Sequence, residues 1–307
     1  MPIHPPQLRP GDTIGIVTLG TPLEAARIDE GIATLKGMGF NVVVGDSTYA
    51  SNGFLAGTPE SRAADLMKMF ANKEVRCILP TRGGVGVAAI LPFLNFPIIK
   101  ANPKIISGYS DITVLLNVLY EYADLVTFHS LMLLDFNNRT PAYNFNQFFS
   151  ATSATTAPWE IKNPPEVPLV SKVPGTATGP VVGGNLTSFI DTIGTSFEIN
   201  TEGKILLLED THEPINTVYR YINHLKLAGK FDDCIGILMG ECTNCEIAYG
   251  KTYNDLIDEV LVPLGKPLIS NLATGHGPLK AAIPIGTRLT MTTETLTLTV
   301  MEPAVSI

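Results

Sequence analysis

The 307-residue chain has little charge, little cysteine and no long apolar run. Only 16% of its residues are charged, the formal net charge is −8, and no run of lysine or arginine occurs. This balance argues against nucleic acid or an anionic membrane surface as the main partner. No stretch approaches the length of a membrane-spanning helix, and the start, MPIHPPQLRPGD, lacks the pattern of an export signal. We therefore expect a cytoplasmic protein that binds neither nucleic acid nor membrane.

The four cysteines are too few to predict a disulfide framework or a metal site. Cys242 and Cys245 form a single C-x-x-C pair, and a zinc site would need a second pair or a nearby histidine. The apolar stretch before the pair also lacks the setting of a thioredoxin-type motif. We expect no metal site, and the role of the pair stays open.

Apolar residues make up 45% of the chain, which is enough for a sizeable core in two domains or one large one. The first half alternates short apolar runs with segments of helical periodicity. The predicted strands are 12–19, 41–45, 75–80, 104–107 and 124–128, and the predicted helices are 23–38, 58–69 and 111–120. Strands separated by helices pair in parallel, and ligands collect at the carboxyl ends of such strands.

Residues 137–180 are rich in Asn, Thr, Ser and Pro, which is typical of a long crossing between domains. Beyond Thr178 the chain contains further predicted strands and helices, and it closes with an alternating segment that predicts a hairpin. We therefore predict an α/β fold with two domains, at residues 1–155 and 156–307.

The most informative stretch is KIISGYSDITVLLN, residues 104–117. An apolar strand runs into Gly108, Ser110 follows, and a helix opens with Asp111. A serine on such a turn is lifted clear of the sheet and lies beside the unpaired N–H groups at the start of the helix. This is the nucleophile-elbow arrangement. The same residues also suit an ordinary helix N-cap, so the stretch alone leaves both interpretations open.

A serine nucleophile needs a base, and the base needs an acid that orients it. Of five histidines, His276 stands between two glycines in ATGHGP, where the backbone allows close approach, although Gly-His-Gly is also a plain turn sequence. A strongly apolar strand ends in Glu209 and Asp210, with Glu213 just beyond. The resulting chain order of serine, acid and histidine is that of nucleophile-elbow hydrolases.

The glycine loop TRGGVG, residues 81–86, has two interpretations. Its spacing weakly matches a dinucleotide-binding loop, but it follows the third predicted strand and no ribose-binding acid follows at the expected distance. Alternatively, a backbone N–H of the loop donates to a carbonyl oxygen that becomes anionic, which typically stabilises a transition state by ~3 to 4 kcal/mol. Arg82 is a candidate ligand for a free carboxylate, although a plain surface role is commoner for such an arginine.

Taken together, RPGD, TRGGVG, GYSDIT, GGNL, ILLLED and TGHGP resemble, in order and spacing, the LD-carboxypeptidase and microcin C immunity family of serine peptidases. The resemblance implies that Ser110 is the nucleophile, Glu209 the acid and His276 the base. It also implies that the N–H groups of Gly84 and Asp111 form the oxyanion pocket. Asp210 and Glu213 rank second to Glu209 as the acid.

The resemblance further implies a flavodoxin-like N-terminal domain with the serine, and a smaller β-rich C-terminal domain with the acid and base. It implies a cytoplasmic homodimer without metal or cofactor. The implied substrate is a small peptide, a muropeptide of cell-wall recycling that loses a terminal D-alanine from an L-centre. Hydrolysis of peptidyl or aminoacyl adenylate analogues is the alternative. A solute-binding protein and a nucleotide-dependent oxidoreductase are the rivals of other classes.

Two positions depart from the family pattern. Val85 stands where tyrosine is frequent, and the segment 129–131 reads His-Ser-Leu where many members have His-Gly-Pro. Both departures leave the three implied catalytic residues untouched, and both bear on the substrate preference.

Overall fold

The computed structural model describes residues 2–307. Its first half alternates strands and helices, as the periodicity predicts. The elements are β1 (Thr13–Val17), α1 (Ala25–Gly37), β2 (Asn41–Val44), α2 (Pro59–Ala71), β3 (Val75–Pro80), α3 (Phe96–Ala101), β4 (Ile105–Gly108), α4 (Ile112–Ala123), β5 (Thr127–His129) and α5 (Ala142–Thr152). Helix α2 begins as its sequence predicts, because Thr58 Oγ1 accepts a hydrogen bond from the Ser61 N–H and Pro59 occupies the first turn.

The second half holds more strands than helices. The elements are β6 (Trp159–Ile161), β7 (Val170–Val173), β8 (Thr176–Asn185), α6 (Leu186–Ile190), β9 (Ile205–Thr211), α7 (Ile215–Leu227), β10 (Gly236–Thr243), α8 (Tyr253–Leu256), β11 (Leu268–Leu272), β12 (Ile283–Ile285), β13 (Arg288–Thr292) and β14 (Thr297–Val300). The predicted terminal hairpin is present, since β13 and β14 pair antiparallel. Within residues 2–307, no helix has both the length and the apolar character needed to cross a membrane.

The first sheet has the strand order β12-β5-β4-β3-β1-β2. Strands β1 to β5 are parallel, and their order matches the flavodoxin-like arrangement. Apolar cores cover both faces. Along β3, for example, Cys77 and Leu79 face one core and Ile78 faces the other, as the two-residue period of a strand requires. The predicted α/β class with a parallel N-terminal sheet is therefore confirmed.

The second sheet has eight strands in the order β6-β14-β13-β8-β9-β10-β11-β7. Its central strands β8 to β11 are parallel, and the flanking strands pair antiparallel. The sheet is thus mixed, and the carboxyl ends of β8, β9 and β10 meet at one edge. In space the second half also extends the first sheet, because β12 pairs with β5. The sequence boundary at residues 155 and 156 stays a prediction.

Residues 137–180 differ from the irregular crossing that their composition suggested, since α5, β6 and β7 lie within them. Helix α5 forms because its aromatic face is buried. Phe148 packs edge-on against Phe136, with ring centroids 5.7 Å apart, and Phe149 stacks on Phe40 at 5.8 Å. This packing outweighs the poor helix propensity of the Asn, Ser and Thr residues around it.

Asn117 in α4 forms hydrogen bonds that connect the first half of the chain to the second. Its Nδ2 donates to the Gly183 carbonyl (2.9 Å), and its Oδ1 accepts from the Gly183 N–H (2.8 Å). Gly183 lies in β8 with a φ of 107°, and a Cβ there would lie 2.1 Å from the Leu207 carbonyl oxygen. The helix behind Ser110 is therefore fixed against β8, the strand beside β9.

We predict that Asn117→Ala lowers the free energy of unfolding by roughly 2 to 4 kcal/mol, because it leaves two buried backbone groups of Gly183 without a partner. Asn223→Ala is the matched control. Both asparagines donate to the carbonyl four residues earlier, but Asn223 does so on the exposed side of α7. Urea unfolding of the two variants checks the prediction, and equal losses would contradict it.

Candidate active site

Ser110 lies at the turn between β4 and α4 in a left-handed backbone conformation, with a φ of 59°. This conformation is uncommon for a residue with a side chain and is the strained geometry of a nucleophile elbow. The helix packs closely on the strand because Gly108 has no Cβ, and a Cβ there would lie 2.7 Å from Ile112. Helix α4 has no side-chain cap hydrogen bond, and its N-cap position is Asp111. The alternative of Ser110 as a helix cap therefore does not hold.

His276 and Glu209 meet although 67 residues separate them. The distance from His276 Nδ1 to Glu209 Oε2 is 2.8 Å, the Glu209 side chain is fully buried, and that of His276 is 16% exposed. Gly275 permits this approach, since it has a φ of 91° and a Cβ there would lie 2.2 Å from Glu209 Oε2. A carboxylate on Nδ1 holds the imidazole in the tautomer whose Nε2 accepts a proton.

The two other candidate acids lie elsewhere. Asp210 faces away from the histidine and accepts hydrogen bonds from Thr187 Oγ1 (2.9 Å), Asn185 Nδ2 (3.1 Å) and the Thr211 N–H (2.8 Å). Burial raises the pKa of Asp210 to about 6. Glu213 lies beyond the end of β9, and within residues 2–307 its carboxylate forms no ion pair. Of the three acids, only Glu209 contacts His276.

Ser110 and His276 line the same cavity, which has a volume of about 200 Å³. Tyr109 presents its ring edge-on to the imidazole, with ring centroids 5.0 Å apart. Ser110 Oγ makes no hydrogen bond within residues 2–307, so the hydroxyl is free to turn toward the histidine.

The glycine loop packs directly on the elbow. A Cβ on Gly83 would lie 2.7 Å from Ser110 Cβ and 2.8 Å from the Asp111 nitrogen, and Gly84 packs on Thr21 with a φ of 87°. The N–H groups of Gly84 and Asp111 donate to no acceptor within residues 2–307. Both groups implied as oxyanion donors are thus free for an oxygen atom in the cavity.

The Asp111 carboxylate ties the glycine loop to the rest of the site. It accepts hydrogen bonds from the Val87 N–H (2.8 Å) and from Ser188 Oγ (3.2 Å), a residue of α6. Burial raises the pKa of Asp111, and the charge of the buried Arg62 opposes that rise. Arg62 in turn donates to the Gly86 carbonyl (2.9 Å), which fixes the far end of the loop. No sequence pattern indicates this role for Arg62, because the residue lies inside an otherwise ordinary helix.

Sequence reasoning also missed a buried group beside the histidine. Tyr109 donates to Asp135 Oδ1 (3.2 Å), and Lys280 Nζ lies 3.8 Å from the same oxygen while donating to the Gly277 carbonyl (2.6 Å). Burial raises the pKa of Tyr109 well above its ordinary value, so the phenol stays protonated. The only available signal was the place of Tyr109 in GYSD, because the partners are remote in sequence.

His129 lies behind Glu209 and is fully buried. Neither of its ring nitrogens has a hydrogen-bond partner within residues 2–307, and neither does Glu209 Oε1. Gly184 of β8, in the second sheet, packs against this ring. A Cβ on Gly184 would lie 3.0 Å from His129 Nδ1, so this position favours a glycine. Burial lowers the pKa of His129 to about 4, although the charge of Glu209 opposes this. The ring is therefore neutral at pH 7.

The two cysteines of the C-x-x-C pair are covalently bonded to each other. Cys242 and Cys245 form a disulfide at the end of β10, so neither sulfur is a free thiolate ligand. Across residues 2–307, no group of three or more His, Cys, Asp or Glu side chains is placed to hold a metal ion.

Family models of known proteins match both halves of the chain. The LD-carboxypeptidase N-terminal domain matches residues 14–130, and the LD-carboxypeptidase C-terminal domain matches residues 178–291. A probable murein peptide carboxypeptidase of Bacillus subtilis is 34% identical over 98% of this chain and 95% of its own length.

Solved structures match as well. The microcin C7 self-immunity protein MccF in complex with aspartyl sulfamoyl adenosine has a TM-score of 0.94 at 27% identity, covering 99% of this chain and 100% of that one. The muramoyltetrapeptide carboxypeptidase from Oxalobacter formigenes has a TM-score of 0.83 at 25% identity, covering 94% of this chain and 99% of that one. The resemblance seen in the sequence motifs is therefore confirmed.

The depressed pKa of His129 predicts a pH-dependent contribution to stability. Between its unfolded pKa near 6.5 and its folded pKa of about 4, the unfolded chain binds a proton that the folded chain does not, so stability falls as the pH falls. On acidification from pH 7 to pH 4, wild type should therefore lose ~3 kcal/mol relative to His129→Asn. Denaturant unfolding across this range measures the difference.

His224→Asn, at an exposed position on α7, is the control for replacing a histidine outside the core. A His129→Asn difference that stayed constant from pH 7 to pH 4 would show that the ring titrates normally in the folded protein.

Proposed function

The chain belongs to the LD-carboxypeptidase family of serine peptidases, and from this premise we propose that it removes the terminal D-alanine from an L-centre in muropeptides. The proposed catalytic residues are Ser110, His276 and Glu209. The observation that supports them most is the buried His276–Glu209 hydrogen bond at the cavity that Ser110 also lines. The relatives named for murein peptides support the substrate class.

The proposed reaction has two halves. In the first, His276 Nε2 takes the Ser110 proton while Ser110 Oγ attacks the carbonyl carbon of the scissile bond. The carbonyl oxygen becomes an oxyanion, to which the N–H groups of Gly84 and Asp111 donate. The C–N bond then breaks, His276 returns the proton to the leaving amine, and an acyl-enzyme remains. In the second half, water attacks the ester with His276 as base, which releases the shortened peptide.

The Glu209 carboxylate acts by charge and by orientation. The Glu209 side chain is 0% exposed, so water does not compete with it for the imidazole. The attraction between this carboxylate and the imidazolium is therefore stronger than it would be in solvent. Glu209 lies near the carboxyl end of β9, and the residues of this strand are buried from Ile205 to Asp210. Its position is therefore fixed before substrate binds. This preorganisation lowers the cost of forming the charged pair.

The alternative substrate is a peptidyl or aminoacyl adenylate analogue, which the likeness to MccF favours. Such a substrate calls for an aromatic surface to stack on the adenine. Trp159, the only tryptophan, lies in β6 at the edge of the second sheet and packs in a core, and it is not among the residues that line the cavity. This placement favours the muropeptide. The cytoplasmic location and the homodimer stay predictions.

Mass spectrometry of products tests the proposal. The enzyme is incubated separately with tripeptide, tetrapeptide and pentapeptide stems and with an aminoacyl sulfamoyl adenosine. We expect D-alanine and a tripeptide from the tetrapeptide. Turnover of the adenosine compound with none of the stems would replace the proposal with its alternative.

We predict that Ser110→Ala folds normally and loses activity on the order of a millionfold, because the nucleophile and base act as a unit. His276→Ala should be almost as damaging. Circular dichroism and urea unfolding establish the fold, and initial rates of D-alanine release establish the loss. A Ser110→Ala enzyme that kept a tenth of wild-type activity would show that another residue attacks.

We predict that Glu209→Gln lowers kcat by roughly 10⁴-fold, because the amide holds the imidazole less well and does not offset its charge. Glu213→Gln and Asp210→Asn are the controls at neighbouring acids that do not contact His276. Rates at saturating substrate compare the three. A larger loss at Glu213 would assign the acid to that residue instead.

A further inference from the structure

Two arginine side chains line the cavity that holds Ser110 and His276. Arg27 comes from the first turn of α1, and Arg82 is the second residue of the glycine loop that follows β3. Arg82 is the carboxylate ligand that the sequence suggests, whereas no sequence pattern indicates Arg27. The two residues are 55 positions apart, and the fold places them on one cavity because β1 and β3 are neighbours in the first sheet.

Neither guanidinium is neutralised by a close partner. Arg82 has no ion pair within residues 2–307, and the only acid near Arg27 is Glu24, at 4.0 Å, with both side chains largely exposed. An exposed pair at that distance contributes little and separates readily. Lys280, by contrast, already has Asp135 and the Gly277 carbonyl as partners. The cavity therefore has one arginine without an ion pair and one with only a weak, exposed ion pair, in a chain whose net charge is −8.

Part of the remaining wall is apolar. Leu23, Met132 and Leu134 line the same cavity as the two arginines. Its volume of about 200 Å³ lies below the roughly 300 to 1,000 Å³ typical of sites for drug-sized ligands. A small apolar group beside an anion fits this lining, and a second residue beyond that group would have to lie outside the cavity.

We propose that Arg27 and Arg82 together bind the free C-terminal carboxylate of the peptide, with the side chain of its last residue on the apolar wall. This inference rests on the proposed function and specifies its substrate class as peptides that end in one short residue with a free carboxylate. Guanidinium groups suit the task because their planar N–H donors match the two oxygens of a carboxylate.

The pair Arg27 and Arg82, called the clamp from here on, also positions the scissile bond. With the terminal carboxylate held, the carbonyl one residue earlier lies within a fixed distance of the arginines, which positions it over Ser110. When the C–N bond breaks, His276 gives its proton to the amine of the departing amino acid, and the carboxylate stays on the arginines until release. A C-terminal amide cannot form the same ion pairs.

Equilibrium binding to the Ser110→Ala enzyme tests the clamp without turnover. Isothermal titration compares a tetrapeptide stem that has a free C-terminal carboxylate with the same peptide as its C-terminal carboxamide. We expect the acid to bind roughly 10- to 100-fold tighter, the range that hydrogen bonds to charged groups provide. Arg27→Gln and Arg82→Gln, each added to Ser110→Ala, should remove most of that preference.

Arg220→Gln is the matched control, since Arg220 is exposed on α7 and does not line the cavity. It should leave the preference unchanged. Arg82→Lys keeps the charge without the planar donors and should retain part of the preference. Thermal unfolding of each variant guards against loss of the fold. Equal binding of acid and amide, or an unchanged preference in both glutamine variants, would overturn the clamp.

Rates on the Ser110 enzyme separate this inference from the proposed function. Arg27→Gln and Arg82→Gln should raise KM for the acid by roughly 10- to 100-fold and leave KM for the amide unchanged. Release of D-alanine from the acid and of D-alaninamide from the amide by wild type, with equal KM for the two peptides, would contradict the clamp alone. A preference for the acid in binding, with no D-alanine released from any stem, would sink the proposed function and leave the clamp standing.

Discussion

The proposed active site depends on one buried hydrogen bond, from His276 Nδ1 to Glu209 Oε2 (2.8 Å). The carboxylate lies at the end of a buried strand, and the imidazole lies on a loop that two glycines allow to approach it. A Cβ on Gly275 would strike Glu209 Oε2, and a Cβ on Gly240 would lie 2.8 Å from Glu209 Cβ. Close packing around the acid thus fixes the direction of the imidazole, and in the proposed mechanism that direction decides whether Ser110 can be activated.

The two sheets position the groups on either side of the His276–Glu209 hydrogen bond. Parallel strands present their carboxyl ends at one edge, so β4 delivers the elbow with Ser110, and β9, in the other sheet, delivers Glu209. The paired hydrogen bonds between Asn117 and Gly183 hold the two edges together, and Asp111 adds a second link through Ser188. The cleft is therefore built largely from groups whose positions are set by strand pairing and buried polar contacts, and the glycine loop is held in the same way by Asp111 and Arg62.

Sequence predicts the parts of this protein that local patterns determine. Strand–helix alternation reveals the first sheet, and Gly108 with Ser110 reveals the elbow, because each signal lies within a few residues. Long-range packing is where prediction fails. Helix α5 forms despite its poor propensity because Phe148 is buried, and β12 joins β5 from more than 150 residues away. Likewise, no local pattern could show that Glu209 rather than Asp210 faces His276, since a shift of one residue along a strand reverses its faces.

The central claim is that Ser110 is a nucleophile activated by His276, and covalent labelling tests it most directly. The protein is treated with a fluorophosphonate, digested, and mapped by mass spectrometry. The account predicts one modified residue, Ser110, and no modification of that residue in His276→Ala at the same reagent concentration and time. Labelling at another serine, or labelling of Ser110 that is equally fast without the imidazole, would contradict it.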